Sequence, residues 1–257
     1  MSDMSSNFLS AKNVNKSFGA VVAANDVNID IQKGEKVSLI GSNGAGKTTF
    51  MNIVTGYLKP DTGNIYFKGE EITKLNPRII TQKGISRSFQ IPQIFEPMSA
   101  WENLLVALGT SKQKNSFFKD ARSKDNARYI DEMLERFSLN EFAHRQVSEL
   151  PGGVRKLLDI AMALVRKPDI LLLDEPTSGV GAEEKYPLMN TIAKALSGED
   201  LTVIFVEHDM DIVQNYSNRI IAFYQGAVIA DGNNQDVLND KKVKEYVTGK
   251  TLVKAKS

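Results

Sequence analysis

Apolar and polar residues alternate through Phe8-Leu9-Ser10-Ala11-Lys12-Asn13-Val14 and again through Val27-Asn28-Ile29-Asp30-Ile31. A period of two predicts antiparallel strands with one packed face. The same alternation in Asn64-Ile65-Tyr66-Phe67-Lys68, after the turn Lys59-Pro60-Asp61-Thr62-Gly63, predicts another strand, and Ile85 to Gln90 repeats it. Three runs are continuously apolar instead: Val37 to Ile40, Ile170 to Leu173, and Leu201 to Val206. Burial on both faces suits the central strands of a parallel sheet. Near the C-terminus, Arg219 to Tyr224 and Ala227 to Ala230 flank Gln225-Gly226 and predict a hairpin.

Between Pro92 and about Leu164 the spacing becomes helical. Ser99, with Glu102 three residues on, forms a capping-box pattern ahead of Trp101 to Leu108. A second amphipathic helix is expected over roughly Asp125 to Phe137. A third is expected from Val154 to Val165, with Val154, Leu157, Leu158, Ala161, Leu164 and Val165 on one face. Further helices are expected from Pro77 to Gly84 and, mostly polar, from Gln235 to Val247. Residues 110 to 128 are rich in Lys, Arg, Ser and Asn and read as a solvated loop or helix end. The Lys-bearing tail is expected to fray. No internal repeat or low-complexity stretch is present.

Gly41-Ser42-Asn43-Gly44-Ala45-Gly46-Lys47-Thr48-Thr49 is a full G-x-x-x-x-G-K-[ST] loop between a buried strand and a helix expected from Lys47 to about Thr55, which is the context that a phosphate-binding loop requires. Small residues at Gly44, Ala45 and Gly46 let successive N–H groups point inward, and the helix N-terminus favours an anion. Lys47 is expected to reach the β- and γ-phosphates of a bound oligophosphate, and the Thr48 hydroxyl to ligate Mg²⁺. Asp174-Glu175 ends a buried strand at its carboxyl end, where ligands of parallel sheets collect. Beside a triphosphate, Asp174 would hold Mg²⁺ and Glu175 would polarise the attacking water.

Other residues remain open on their own evidence. Phe18 is either core filler or a ring able to stack on a nucleotide base. Gln90 alone reads as a surface residue. Gly152-Gly153, after Leu150-Pro151, is either a connector or a second phosphate contact at a helix N-terminus. His208, after the strand Leu201 to Val206, either belongs to a helix cap or reaches a γ-phosphate.

Composition narrows the classes further. A net charge of +1 offers no general attraction for nucleic acid or an acidic membrane surface. The absence of cysteine excludes disulfides, cysteine-ligated zinc and thiol catalysis, and two histidines leave little for a metal cluster. No apolar run approaches the ~18 residues needed to span a bilayer. The expectation is a soluble, cytoplasmic chain that serves any membrane process by docking on another protein.

With Phe18, Gly41 to Thr49, Gln90, Leu150-Pro151-Gly152-Gly153, Asp174-Glu175 and His208 in this order, nearly the whole chain resembles an ABC-type ATPase subunit. The resemblance implies an α/β P-loop NTPase core with an antiparallel β subdomain and an inserted helical subdomain. It divides a single domain into a nucleotide-binding core (1–91 and 165–237), a helical subdomain (92–164) and a C-terminal helix and tail (238–257). Phe18 is then the base-stacking aromatic, Gly41 to Thr49 the Walker A loop, and Gln90 the Q-loop residue near Mg²⁺ and the water. Asp174-Glu175 is the Walker B pair, Pro151 to Gly153 part of the signature motif, and His208 the switch histidine.

Ser88-Phe89-Gln90, Glu102 to Ala107 and Gly226 to Gly232 are most similar to the ATP-binding subunits of importers for branched-chain amino acids, amides and urea. The implied partners are a second ATPase subunit or a second copy, integral membrane permease subunits and, indirectly, a solute-binding protein. The implied place is the inner face of the cell membrane. Three residues depart from the family pattern: Pro151 and Val154 stand where L-S-G-G-Q has serine and glutamine, and Gly181 stands where many relatives carry aspartate. These changes favour a heterodimer over a symmetric pair. Two other functions are carried from the sequence: a soluble ABC protein in assembly or nucleic-acid work, and a mainly structural ATP-binding subunit with weak hydrolysis.

Overall fold

The computed structural model describes residues 7–109, 123–198 and 200–249. Residues 110–122 of the charged stretch and the tail from 250 lie outside the described residues. The chain forms two compact units, one of Met1–Lys83 and Thr202–Ser257, the other of Gly84–Leu201.

The first unit runs through β1 (Leu9–Phe18), β2 (Val21–Ile31), β3 (Lys36–Ile40), α1 (Lys47–Val54), β4 (Thr62–Phe67), β5 (Glu70–Glu71) and α2 (Pro77–Gln82). The second unit holds β6 (Ile85–Ser88), α3 (Ala100–Gly109), α4 (Lys124–Arg136), α5 (Gly152–Leu164), β7 (Ile170–Asp174) and α6 (Ala182–Ala195). The chain then returns to the first unit with β8 (Thr202–Val206), α7 (Met210–Tyr216), β9 (Arg219–Tyr224), β10 (Ala227–Gly232), α8 (Asn234–Asn239) and α9 (Lys241–Tyr246).

Within the first unit, an antiparallel sheet has the order β2-β1-β4-β5, and a second set of strands has the order β10-β9-β3-β8. The antiparallel pairs follow the alternating segments; β3 instead runs parallel to both β8 and β9. Its Val37, Leu39 and Ile40 are fully buried, as a strand covered on both faces requires. Ile40, Val213, Ile220, Ala222, Val237 and Val243 form one core cluster with α7, α8 and α9. The single helix expected from Gln235 to Val247 is in fact two. Asp240 is extended (φ −58°, ψ 138°), and its side chain accepts from the N–H groups of Lys242 and Val243, ending one helix and capping the next.

In the second unit β6 and β7 are parallel, with Ile85 opposite Ile170 and Ser88 opposite Leu173. The expected capping box forms: the Glu102 N–H donates to Ser99 Oγ (3.2 Å), and the Ser99 N–H donates to Glu102 Oε2 (2.9 Å). Ser123 caps α4 through the Asn126 N–H. The third helix begins at Gly152, two residues before the expected start, and is buried on more than its apolar stripe: Lys156 and Asp159 are inside, while Val154 and Leu157 are half-buried. Helix α6 has no counterpart in the sequence reading. Pro187 interrupts its pattern, although Leu188, Met189, Ile192 and Ala195 are buried at helical spacing. None of the described helices is long and apolar enough to cross a membrane.

Candidate nucleotide site

The phosphate loop leaves β3 and turns into α1 through Gly46, whose φ of 110° places it in the left-handed region. A Cβ there would lie 2.6 Å from the Ala23 carbonyl oxygen and 3.2 Å from Gly226 Cα, so both the turn and the space demand glycine. No side chain caps α1, and the positive end of its dipole at this N-terminus favours an anion. The loop is braced from behind by the β9–β10 turn: the Gly226 N–H donates to the Ala45 carbonyl (2.9 Å), and the Asn25 N–H donates to the Gly226 carbonyl (2.9 Å). Lys47 is buried, with Nζ donating to the carbonyls of Gly41 (2.7 Å) and Ser42 (3.0 Å), whereas Thr48 is exposed. These contacts bend the loop around its own cation.

Phe18 closes β1 opposite Val21 and is 52% exposed, with Lys16 Nζ over its ring, 5.6 Å from the centre. Its hairpin continues to Ala23, the residue that abuts Gly46. His208, also in the first unit, is exposed at the edge of a cavity of about 810 Å³ shared with Met210, Gln214, Asn234, Leu238 and Lys244.

The remaining site residues lie in the second unit, and there direct contacts join several of them. Gln90 Nε2 donates to Glu175 Oε2 at 2.7 Å. Glu175 follows β7 at φ 45°, an unusual left-handed conformation for a non-glycine residue, and its carbonyl accepts from the Ser178 N–H (3.0 Å). Asp174 is buried, and its Oδ2 accepts from Arg87 Nη2 at 2.5 Å; Arg87 reaches across from the neighbouring β6 and stacks over Phe89, 4.8 Å from the ring centre. Among the described residues, Asp174 Oδ1 has no protein hydrogen bond.

Pro151 stands at the N-cap of α5 without a side-chain hydrogen bond, and its carbonyl accepts from the Arg155 N–H (3.0 Å). A Cβ on Gly152 or Gly153 would meet nothing within 4 Å, so packing does not require these glycines. One turn further on, two buried charges face the Gln90 segment. Lys156 Nζ donates to the carbonyls of Phe89 (2.7 Å), Gln90 (3.3 Å) and Asp174 (3.2 Å). Asp159 accepts from Ser88 Oγ (2.5 Å), the Phe89 N–H (3.2 Å) and the Gln93 N–H (2.9 Å). Burial pushes the Asp159 carboxyl above the ordinary carboxylate range, while these donors and the Lys156 charge pull it back.

Arg87, Lys156, Asp159 and Gly226 are absent from the sequence-based site. A basic and an acidic residue three apart on a helix resemble an exposed pair, and Gly226 reads as an ordinary hairpin glycine. The available signal was positional: both charges follow the Gly-Gly helix start, and Arg87 is three residues before Gln90.

Comparison with known proteins gives one consistent result. Residues 24–178 match the family described as ABC transporter. The chain is 38% identical over 252 residues to a high-affinity branched-chain amino acid transport ATP-binding protein, BraF of Pseudomonas aeruginosa; the match covers 95% of this chain and 99% of the relative. An ATP-binding cassette of an ABC transporter, solved in its ADP conformation, superposes with a TM-score of 0.81 at 33% identity, covering 93% of this chain and 97% of the other. A dimeric cassette in a post-hydrolysis state with ADP and Pi has a TM-score of 0.76 at 27% identity, covering 88% and 98%.

The brace behind the phosphate loop makes a testable demand. Gly226 has φ 80°, and a Cβ on it would lie 3.1 Å from Ala23 C and 3.2 Å from both Ala24 N and the Val22 oxygen. Gly226→Ala should shift the loop and weaken ATP binding about tenfold, the equivalent of ~1–2 kcal/mol of left-handed strain and crowding. Titration with a fluorescent ATP analogue reads this directly. Parental affinity in the variant would mean that the hairpin turn does not hold the loop.

Proposed function

This chain belongs to the ABC transporter family of ATPases, and we propose that it energises a membrane importer of branched-chain amino acids or related small polar solutes. It binds and hydrolyses ATP as its family does. The observation that carries the importer reading is similarity along almost the full length of a branched-chain amino acid transport subunit, with every ATPase motif in order. The reading treats the chain as one ATPase domain: 1–91 and 165–237 as nucleotide-binding core, 92–164 as helical subdomain, and 238–257 as C-terminal helix and tail.

We assign Phe18 to the base, Gly41 to Thr49 to the phosphates, Glu175 to the attacking water, Gln90 to Mg²⁺ and that water, and His208 to the γ-phosphate or its water. The geometry of Glu175 supports its role, since its strained backbone and its bond from Gln90 hold the carboxylate in a defined direction. We assign Mg²⁺ to hard oxygen donors of this chain. Thr48, Gln90 and Asp174 offer a hydroxyl, an amide and one free carboxylate oxygen, and no group of three or more His, Cys, Asp or Glu among the described residues forms a protein cage. Hard oxygen donors with few carboxylates suit an ion carried largely by substrate phosphates. Bound Mg²⁺ would neutralise charge on the β- and γ-phosphates. Lys47→Ala should therefore weaken nucleotide binding, and Glu175→Gln should keep binding while suppressing hydrolysis. ATP affinity and turnover measured on both variants test this; unchanged turnover in Glu175→Gln would sink the catalytic assignment.

We assign the permease contact to residues 90–97 and Met98, working at the inner face of the membrane. Phe95 is 49% exposed and Met98 37%. Yet the Phe95 backbone is fixed, its N–H donating to Asn103 Oδ1 (2.7 Å) and its carbonyl accepting from Asn103 Nδ2 (3.1 Å). An exposed ring on a fixed backbone loses little entropy on docking. Phe95→Asp should abolish co-purification with a permease from solubilised membranes or uncouple transport. Survival of both would move the docking surface elsewhere.

The second ATPase subunit is proposed to be a different chain of more usual signature. In a head-to-tail pair each site would join one chain's Walker motifs to the other's signature, so the hydroxyl missing at Pro151 would weaken only the partner's site. Loss of one charge-assisted hydrogen bond is on the order of 1.5–3 kcal/mol, roughly ten- to a hundredfold in rate. Glu175→Gln in this chain should then cost far more ATPase activity than the matching change in the partner. Equal losses, or a fully active homodimer, would refute the asymmetry.

A further inference from the structure

Two buried charges on α5 do more than fill the interior of the second unit. Lys156 and Asp159 are 3% and 5% exposed, and removing an ammonium and a carboxylate from water is costly unless each is fully hydrogen-bonded. Here they are. Lys156 directs its donors to three backbone carbonyls, and Asp159 collects three donors from the segment between Ser88 and Gln93. The Phe89 residue is gripped on both sides, its N–H by Asp159 and its carbonyl by Lys156.

The choice of acceptors is informative. The Asp174 carbonyl belongs to the peptide that leads directly into Glu175, so the ammonium fixes the plane from which Glu175 departs at φ 45°. The same ammonium holds the carbonyl of Gln90. Gln90 and Glu175 are themselves joined side chain to side chain at 2.7 Å. One cation on α5 therefore anchors the backbones of both members of that pair, and its carboxylate neighbour one turn along holds the flanks of the Gln90 segment.

We propose that Lys156 and Asp159 are positioning residues that set the Gln90–Glu175 geometry and lock it to α5, an inference resting on the reading of Glu175 as the group that directs the attacking water. Neither residue touches the reacting atoms. Their effect is on where a carboxylate points, so it appears in the rate of the chemical step and not in ATP affinity. A purely structural pair would act through stability alone.

The test compares the full-length parent with Lys156→Met, Lys156→Arg, the double variant Lys156→Met/Asp159→Leu, and Glu175→Gln. Each is measured for ATP affinity, single-turnover hydrolysis of radiolabelled ATP, and thermal unfolding midpoint. Lys156→Met should slow the single turnover by about 10- to 100-fold, the range that misplacement by an ångström produces, while ATP affinity changes by less than about threefold. Lys156→Arg, which keeps charge and donors, should recover part of the rate. The double variant leaves no buried charge unpaired, so it should regain unfolding midpoint relative to Lys156→Met without regaining rate. Should Lys156→Met not fold, the double variant and Lys156→Arg decide by the same rate measurement. A parental rate in folded Lys156→Met, or a rate that returns together with the midpoint in the double variant, would overturn the proposal. Glu175→Gln separates the two levels: if it hydrolyses normally, the catalytic reading fails, whereas an inactive Glu175→Gln beside a fast Lys156→Met defeats the positioning role alone.

Discussion

There is no room for a side chain where the phosphate loop turns into α1. At Gly46 the backbone passes so close to Ala23 and Gly226 that a single added carbon would overlap an oxygen, and the dihedral angle itself excludes ordinary residues. The first unit is built around this approach. Strand β3 delivers the loop from a fully buried position between β8 and β9, the β9–β10 turn backs it, and β2 closes the remaining side. The result is a helix start whose N–H groups are held in place without a protein cap, which is what an oligophosphate needs from a binding site.

The second unit solves a different problem. There, charge buried among backbone groups holds the segments around Gln90 and Asp174. Arg87 takes one oxygen of Asp174, and Gln90 takes one of Glu175. Lys156 and Asp159 hold the segments from which those residues emerge. Hydrogen bonds in such low-dielectric surroundings are strong and directional, and an unmet one is correspondingly costly, so the network tolerates few arrangements. Asn103 likewise fixes the backbone of Phe95, whose ring is exposed.

Much of this was legible in the chain itself. Period-two alternation located β1, β2 and β4, continuous apolar runs located β3, β7 and β8, and the Ser99–Glu102 pattern located the start of α3. The reason is local: strand burial and helix capping are written within a few neighbouring residues. The reading failed where local signals conflict. Pro187 concealed α6, and Asp240, an acceptable surface residue within a helix, instead divides one expected helix into two by capping the second.

The sequence by itself determined the fold class and the nucleotide chemistry, because the phosphate loop and the Asp174-Glu175 strand end are each contiguous and each carry their own structural context. Only the tertiary structure decided which groups Lys156, Asp159, Arg87 and Gly226 meet. Hydrophobic patterning assigns a charged residue to water by default, and whether it is instead buried depends on partners far away in the chain. Asp159 meets Ser88 across 71 positions, and Lys156 meets Phe89 across 67. Arg87 meets Asp174 across 87, and Gly226 braces a loop that the chain completed long before reaching it. No local pattern encodes such meetings; they exist only once the strands and helices have been packed together.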